Sequence, residues 1–286
     1  MKADLALFKE SLREKNIFFM KKTFSFLTAV LLMAFASGQM KDGKIVYERT
    51  MQLQIQIADN NPAMQNMIPR ERKDRYELSF SNNKSLWQRV EDMQGDETTF
   101  GGDGAQIRFV MPGSDDITYH SIDDMKKTDQ RELGGKTFIV ADSIRRLSWK
   151  VAGETKTILG YKCMKATAQR TQESMRMNMD NGNMSRQRVT DTLNIVAWFT
   201  NEIAGSYGPD MYQGQLPGTI MEIDINNGRN SFRAVEVSAK ADVAKIKEPT
   251  KGKKVTADEF AKEREKLFSE MQQNGGGGMR FNIRGN

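Results

Sequence analysis

The sequence predicts a mainly β protein: a single large antiparallel curved sheet or open half-barrel with a C-terminal helix. Three observations carry this expectation. Apolar and polar residues alternate with period two through most of the chain, as half-buried strands require. Turn dipeptides that reach positive φ cheaply separate the alternating runs: Asn82-Asn83, Asn181-Gly182 and Asn227-Gly228. Helical spacing behind a recognisable cap occurs near the C-terminus, at Thr256-Ala257-Asp258-Glu259.

Taken in order, residues 1–19 precede a better start at Met20 and read as an N-terminal extension outside the fold. Residues 20–38 read as a secretory signal peptide. Lys21 and Lys22 open it, the apolar run from Phe24 to Phe35 is too short to span a bilayer, and Ala36-Ser37-Gly38 supplies small residues for cleavage. This predicts a periplasmic or secreted protein. No Cys follows the run to carry a lipid, and no later run reaches about 18 apolar residues, so no transmembrane anchor is expected.

The β domain is expected over 39–250. Its first strand spans 45–57, where Ile45, Tyr47, Met51 and Leu53 share a face that Arg49 interrupts. Further strands are expected at 74–81, 84–90, 106–111, 117–121, 137–142, 146–151, 155–168, 188–200, 219–226 and 230–239. Segments 58–72 and 91–104 lack periodicity and read as loops. The helix is expected over 251–272, packed on the sheet through a stripe of Phe260, Leu267, Phe268 and Met271. The Gly-rich tail 273–286 is expected to be disordered.

Composition narrows the function. The 286 residues carry 43 Lys and Arg against 37 Asp and Glu, a net charge of +6. Residues 1–38 hold six of those cations and three of the anions, so the mature chain has 37 against 34, or +3. Nucleic acid is therefore not an expected partner. One Cys excludes an internal disulfide, and one His excludes poly-His zinc sites. Cys163 reads as a small buried hydrophobe. Asp115, Asp116, Asp123 and Asp124 flank His120, but neighbours on a strand diverge to opposite faces, so these read as solvated loop charges. No phosphate loop, nucleophile elbow or His-Glu-x-x-His occurs. The expectation is a non-enzymatic binding protein.

Residues 193–223 read LNIVAWFTNEIAGSYGPDMYQGQLPGTIMEI. Ala197-Trp198-Phe199-Thr200, Gly208-Pro209 and Leu216-Pro217-Gly218 with Ile220 resemble the GLPGLI family of secreted proteins from Bacteroidetes-type bacteria. Trp149, Glu154-Thr155-Lys156, Gly160-Tyr161 and Ala166 extend the similarity upstream. The chain departs from the motif at Gln215 and Thr219. The resemblance implies an exported protein of unassigned function and brings no catalytic residues. Read physically, Leu216-Pro217-Gly218-Thr219 predicts a type II turn, with Pro217 presetting φ and Gly218 taking it positive. That turn either fixes register between core strands or, with Trp198, forms a ligand loop at a cavity mouth. The ligand expected there is lipid-like, or a hydrophobic segment of an envelope partner held on the concave sheet face.

Residues 174–186, SMRMNMDNGNMSR, carry the other candidate site. A two-residue turn at Asn181-Gly182 places Met179 across from Met184, with Met175 and Met177 on the same face. Thioethers are soft ligands suited to Cu(I), so a copper site at Met175, Met177, Met179 and Met184 is the alternative function; otherwise no cofactor is expected. Clustered Met equally suits a partner or lipid surface, or a plain hairpin extension.

Overall fold

The computed structural model describes residues 39–52, 70–90, 97–100, 107–110, 116–180 and 183–273. The expected extension, leader and Gly-rich tail beyond Gln273 lie outside the described residues, as do residues 53–57 of the expected first strand and 58–69 of the first expected loop. From Met40 onward the chain forms one unit. Its strands are β1 Asp42–Gln52, β2 Glu71–Ser81, β3 Lys84–Arg89, β4 Glu97–Phe100, β5 Ile107–Val110, β6 Ile117–Ser121 and β7 Lys126–Leu133. They continue as β8 Lys136–Ser143, β9 Lys150–Ile158, β10 Tyr161–Asp180, β11 Asn183–Thr200, β12 Thr219–Ile225, β13 Asn230–Ser238 and β14 Lys253–Thr256. Helix α1 follows at Ala257–Gln273.

Among the described residues twelve strands make one open sheet in the order β14-β8-β7-β6-β3-β2-β1-β13-β12-β11-β10-β9, while β4 pairs only with β5. The expected β class with a C-terminal helix is what forms. One pairing departs from an antiparallel sheet: β14 runs parallel to β8.

The sheet has to curl, and the reason is chain length. β8 and β9 stand ten places apart in the strand order. In a flat sheet that is about 48 Å at a spacing of about 4.8 Å. The connection from Ser143 to Lys150 reaches at most about 25 Å even when extended. The two ends of the sheet must therefore approach each other, although no pairing joins β9 to β14. Bulges supply the bend. Register slips by one residue at Val235, between Val46 and Tyr47 on the facing strand, and at Met221, opposite Trp198 and Phe199. A third irregularity lies between Met164 and Ala166.

The hairpins follow local chemistry. Asn82-Asn83, Gly134-Gly135 and Leu159-Gly160 each join paired strands with two positive-φ residues, the geometry that suits the strand twist. Asn226, Asn227 and Gly228 also lie at positive φ, in a four-residue loop. Leu159 is the misfit among these, half exposed at φ 50°. An L residue with a branched apolar side chain pays about 1 kcal/mol for that conformation, and Asn pays less. Leu159→Asn is therefore expected to raise stability by about 0.5–1 kcal/mol, read as a higher urea midpoint.

Three expectations need correction, two strands and a loop. The run 155–168 is broken by the turn at 159–160, which an apolar Leu had hidden. The run 146–151 is strand only from Lys150, because 144–149 is the crossing segment. The supposed loop 91–104 contains β4. Two strands had no apolar signature: β7, whose sequence is KKTDQREL, and β14, at the start of the segment expected to be helix. The helix cap forms as expected. The Thr256 N–H donates to Glu259 Oε2 at 2.8 Å, and the Glu259 N–H donates to Thr256 Oγ1 at 3.2 Å. Phe260 packs edge-on against Phe138, beside Val140 and Val255. The side chains of Phe268 and Met271 lie outside those described. No described helix is long and apolar enough to cross a membrane.

Candidate functional site

Directly opposed residues of paired strands share a face, so the registers map the inner face of the curl. One row runs Ile45, Leu78, Trp87, Thr118, Asp129, Val140. The next runs Phe80, Ser85, His120, Lys127, Asp142. The face is apolar under β1–β3 and β9–β13, apolar again under α1, and polar between them.

The larger apolar region is filled by the chain itself. The β11–β12 connection, residues 201–218, folds onto it and buries Ile203, Tyr207, Tyr212 and Leu216 to 3% exposure or less. Tyr47, fully buried, donates its hydroxyl to the Ile220 carbonyl at 2.6 Å; burial pushes that phenol far above its ordinary range. Tyr207 Oη accepts from the Asn83 N–H at 3.1 Å, and burial pushes its own pKa up to about 12. The crossing segment closes over this plug through Gln215. Its Oε1 accepts from the Leu147 N–H at 2.9 Å and the Trp149 Nε1–H at 3.3 Å, and its Nε2 donates to the Arg145 carbonyl at 2.7 Å. Gln215 is thus the clasp between two connections.

The expected ligand loop takes its place within this plug. Leu216 is core, Pro217 is exposed, and Gly218 is buried. The expected type II turn is absent, because Gly218 does not lie at positive φ. A Cβ there would sit 2.4 Å from the Thr200 carbonyl oxygen and 2.4 Å from Asn201 Oδ1. Close approach, not turn geometry, demands the glycine. Trp198 does not join Leu216. It alternates with the core residues Ala197 and Phe199 and lies on the outer face, capped by Lys156 Nζ at 4.4 Å from its ring centre. Lys156 also pairs with Glu222 at 2.6 Å. Cys163 is fully buried, and burial pushes its thiol up to about 11, which leaves it unreactive.

The polar band of the inner face escaped sequence reading. Asp129 is 5% exposed, and its Oδ2 meets Lys127 at 3.0 Å and Arg131 at 3.2 Å. Burial alone would raise its carboxyl; the two cations hold it below the usual range. His120 is 1% exposed, and burial, helped by Lys127, pushes it down to about 4. Of its expected flanking carboxylates, Asp115 lies outside the described residues and the others are engaged elsewhere: Asp116 with Arg131, Asp123 with Asn83, Asp124 with Ser121. Gln213, fully buried, accepts from the Ser85 hydroxyl. Further along the face, Asp74 is bracketed by Arg72 at 2.8 Å and Arg89 at 3.2 Å beside stacked Tyr76 and Trp87. Arg49, the interruption in the β1 pattern, belongs here: Nε donates to Asn230 Oδ1 at 2.9 Å, and its guanidinium covers Phe232. Among the described residues no three His, Cys, Asp or Glu gather as metal ligands.

The methionine hairpin forms with the expected register. Met179 stands opposite Met184, Met177 opposite Arg186 and Met175 opposite Arg188. β9 accompanies β10 only as far as Thr167, and β12 accompanies β11 only from Ile195. Beyond that, among the described residues, the two strands pair only with each other, over about 40 Å at about 3.3 Å per residue. They form a two-stranded arm. The turn residues 181–182 and the side chains at 174–188 lie outside those described.

The family described as "Protein of unknown function (Porph_ging)" is matched by residues 149–222. That span is about a quarter of the chain, and it holds β9, the long hairpin and the plug. No curated protein matches. Among solved structures, PNGF-II in the P21 space group is similar at 15% identity and a TM-score of 0.47, over 80% of this chain and 34% of that one. PNGF-II in the C2 space group is similar at 14% identity and a TM-score of 0.48, over 79% and 33%. The chain spans about a third of the length of those proteins.

Proposed function

We propose that this is an exported, non-enzymatic binding protein of the GLPGLI type whose binding element is the β10–β11 arm. Its partner is a hydrophobic segment of an envelope protein. The observation that carries this reading is the arm itself. A two-stranded ribbon is marginal in water, so one this long gains most when a partner covers a face. Met175, Met177, Met179 and Met184 at shared-face register positions suit an adaptable apolar contact. A lipid-like ligand on the inner face is disfavoured, because Tyr207, Tyr212 and Leu216 already fill the apolar part of that face.

A photo-crosslinking residue placed at Met177 in the producing cell is expected to give a discrete protein adduct, while the same residue at exposed Val151 gives none. Equal yields from both positions, or none from either, would sink the proposal.

Copper remains the second reading, favoured by the direct opposition of Met179 and Met184. Arg186 and Arg188 stand opposite the other two methionines, and cationic residues there work against holding a cation. The expected result in Cu(I) competition with a chelator is the same weak affinity for the native protein and for the variant with all four methionines replaced by Ser. A loss of affinity of tenfold or more in that variant would instead establish the metal site.

A further inference from the structure

The polar band contains three buried side-chain atoms without a partner: His120 Nδ1, Gln213 Nε2 and Asp129 Oδ1. They belong to one neighbourhood. Gln213 is bonded to Ser85, Ser85 stands opposite His120, His120 stands opposite Lys127, and Lys127 is paired with Asp129. Each of the three residues is at most 5% exposed. A buried polar atom left unpaired costs about 1–3 kcal/mol, so each of the three calls for a partner, and their shared neighbourhood lets one group serve them together.

Their chemistry defines that partner. Gln213 Nε2 can only donate; the Asp129 carboxylate, held ionised by its two cations and by a hydrogen bond from the Thr118 hydroxyl opposite it, can only accept at Oδ1. An anion would be refused by Asp129. A cation would be refused by Lys127 and Arg131. A hydroxyl oxygen satisfies both requirements, because it accepts and donates at once. We propose that Gln213, Asp129 and His120 form a hydroxyl-binding site in the inner face of the sheet, taking either a water molecule or the hydroxyl of a neutral polyol. A polyol hydroxyl has one hydrogen, which goes to Asp129, so it accepts from Gln213 and from the Nδ1–H tautomer of His120. Water has two hydrogens and can serve Asp129 and an unprotonated Nδ1 together. Arg131, paired with Asp129, is the exposed member of this group: its side chain is 38% exposed, and Asp210 acts on it electrostatically.

The chain has one histidine, so its imidazole nitrogens give unambiguous signals after 15N-histidine labelling. Glycerol serves as the hydroxyl probe and betaine, which has none, as the osmotic control. A crystal structure at about 1.5 Å is expected to show an oxygen within about 3.2 Å of all three atoms. Movement of the His120 Nδ1 resonance with glycerol but not betaine assigns the site to a polyol. A bridging oxygen with no glycerol response assigns it to water. Gln213→Leu is expected to shift the same resonance; if that variant fails to fold, the crystal and the titration decide alone. No bridging oxygen together with no glycerol response overturns the proposal.

Discussion

Replacing Gly218 by alanine is expected to destabilise the protein by about 3 kcal/mol, at the upper end of ordinary overpacking costs. The new Cβ would meet the Thr200 carbonyl oxygen at 2.4 Å and its carbon at 2.9 Å. These are backbone atoms, and they cannot rotate aside. Thr200 and Thr219 are paired across β11 and β12, and both are fully buried. Relieving the clash therefore means opening the pairing that starts β12 and seats the plug. Pro217→Ala is the matched control, because Pro217 is itself exposed and no packing is lost; its effect should stay within about 0.5–1 kcal/mol. Urea unfolding measures both. A Gly218→Ala midpoint equal to the native one would mean the motif does not anchor the plug.

Stability is expected to fall by roughly 3 kcal/mol as pH drops from 6.5 to 4, because of His120 alone. The imidazole is held neutral in the fold down to about 4, mainly by burial, against an ordinary value near 6.5. Ser85, Lys127, Asp129 and Gln213 face it from β3, β7 and the plug. Between those pH values the unfolded chain binds a proton that the folded chain refuses. The contribution is thus complete above pH 6.5 and is lost progressively on acidification. Asp129, Glu248 and Glu259, whose carboxyls lie below their usual values, are lost only at lower pH, so the two windows separate. His120→Gln should flatten stability between pH 6.5 and 4 while keeping the steeper acid limb. An unchanged slope in that variant would show that His120 is not the titrating group.

Legibility in the sequence followed the physics of each feature. Strands with one apolar face, such as β1 and β11, announce themselves by alternation, and the Asn82-Asn83 turn does so by its tolerance of positive φ. β7 was silent because its inward face carries Lys127, Asp129 and Arg131, and a polar face turned inward looks the same as one turned to water. The same ambiguity left His120, on the expected strand 117–121, without a visible environment, whereas it is 1% exposed on the inner face. Arg49 made no sense in an isolated strand, because Asn230 and Phe232, which explain it, come from β13.

Local chemistry was enough for the β class, the hairpin registers around Met179 and Met184, and the Thr256–Glu259 cap, since each depends on residues close together in the chain. The curl, the occupation of its interior by residues 201–218, and the parallel docking of β14 were decided by contacts across many strands. Those contacts turn Leu216 and Gly218 from a surface turn into part of the core, and leave Trp198 on the opposite side of the sheet. Alternation tells which residues share a side of a strand; only the curled sheet and its connections tell what that side meets.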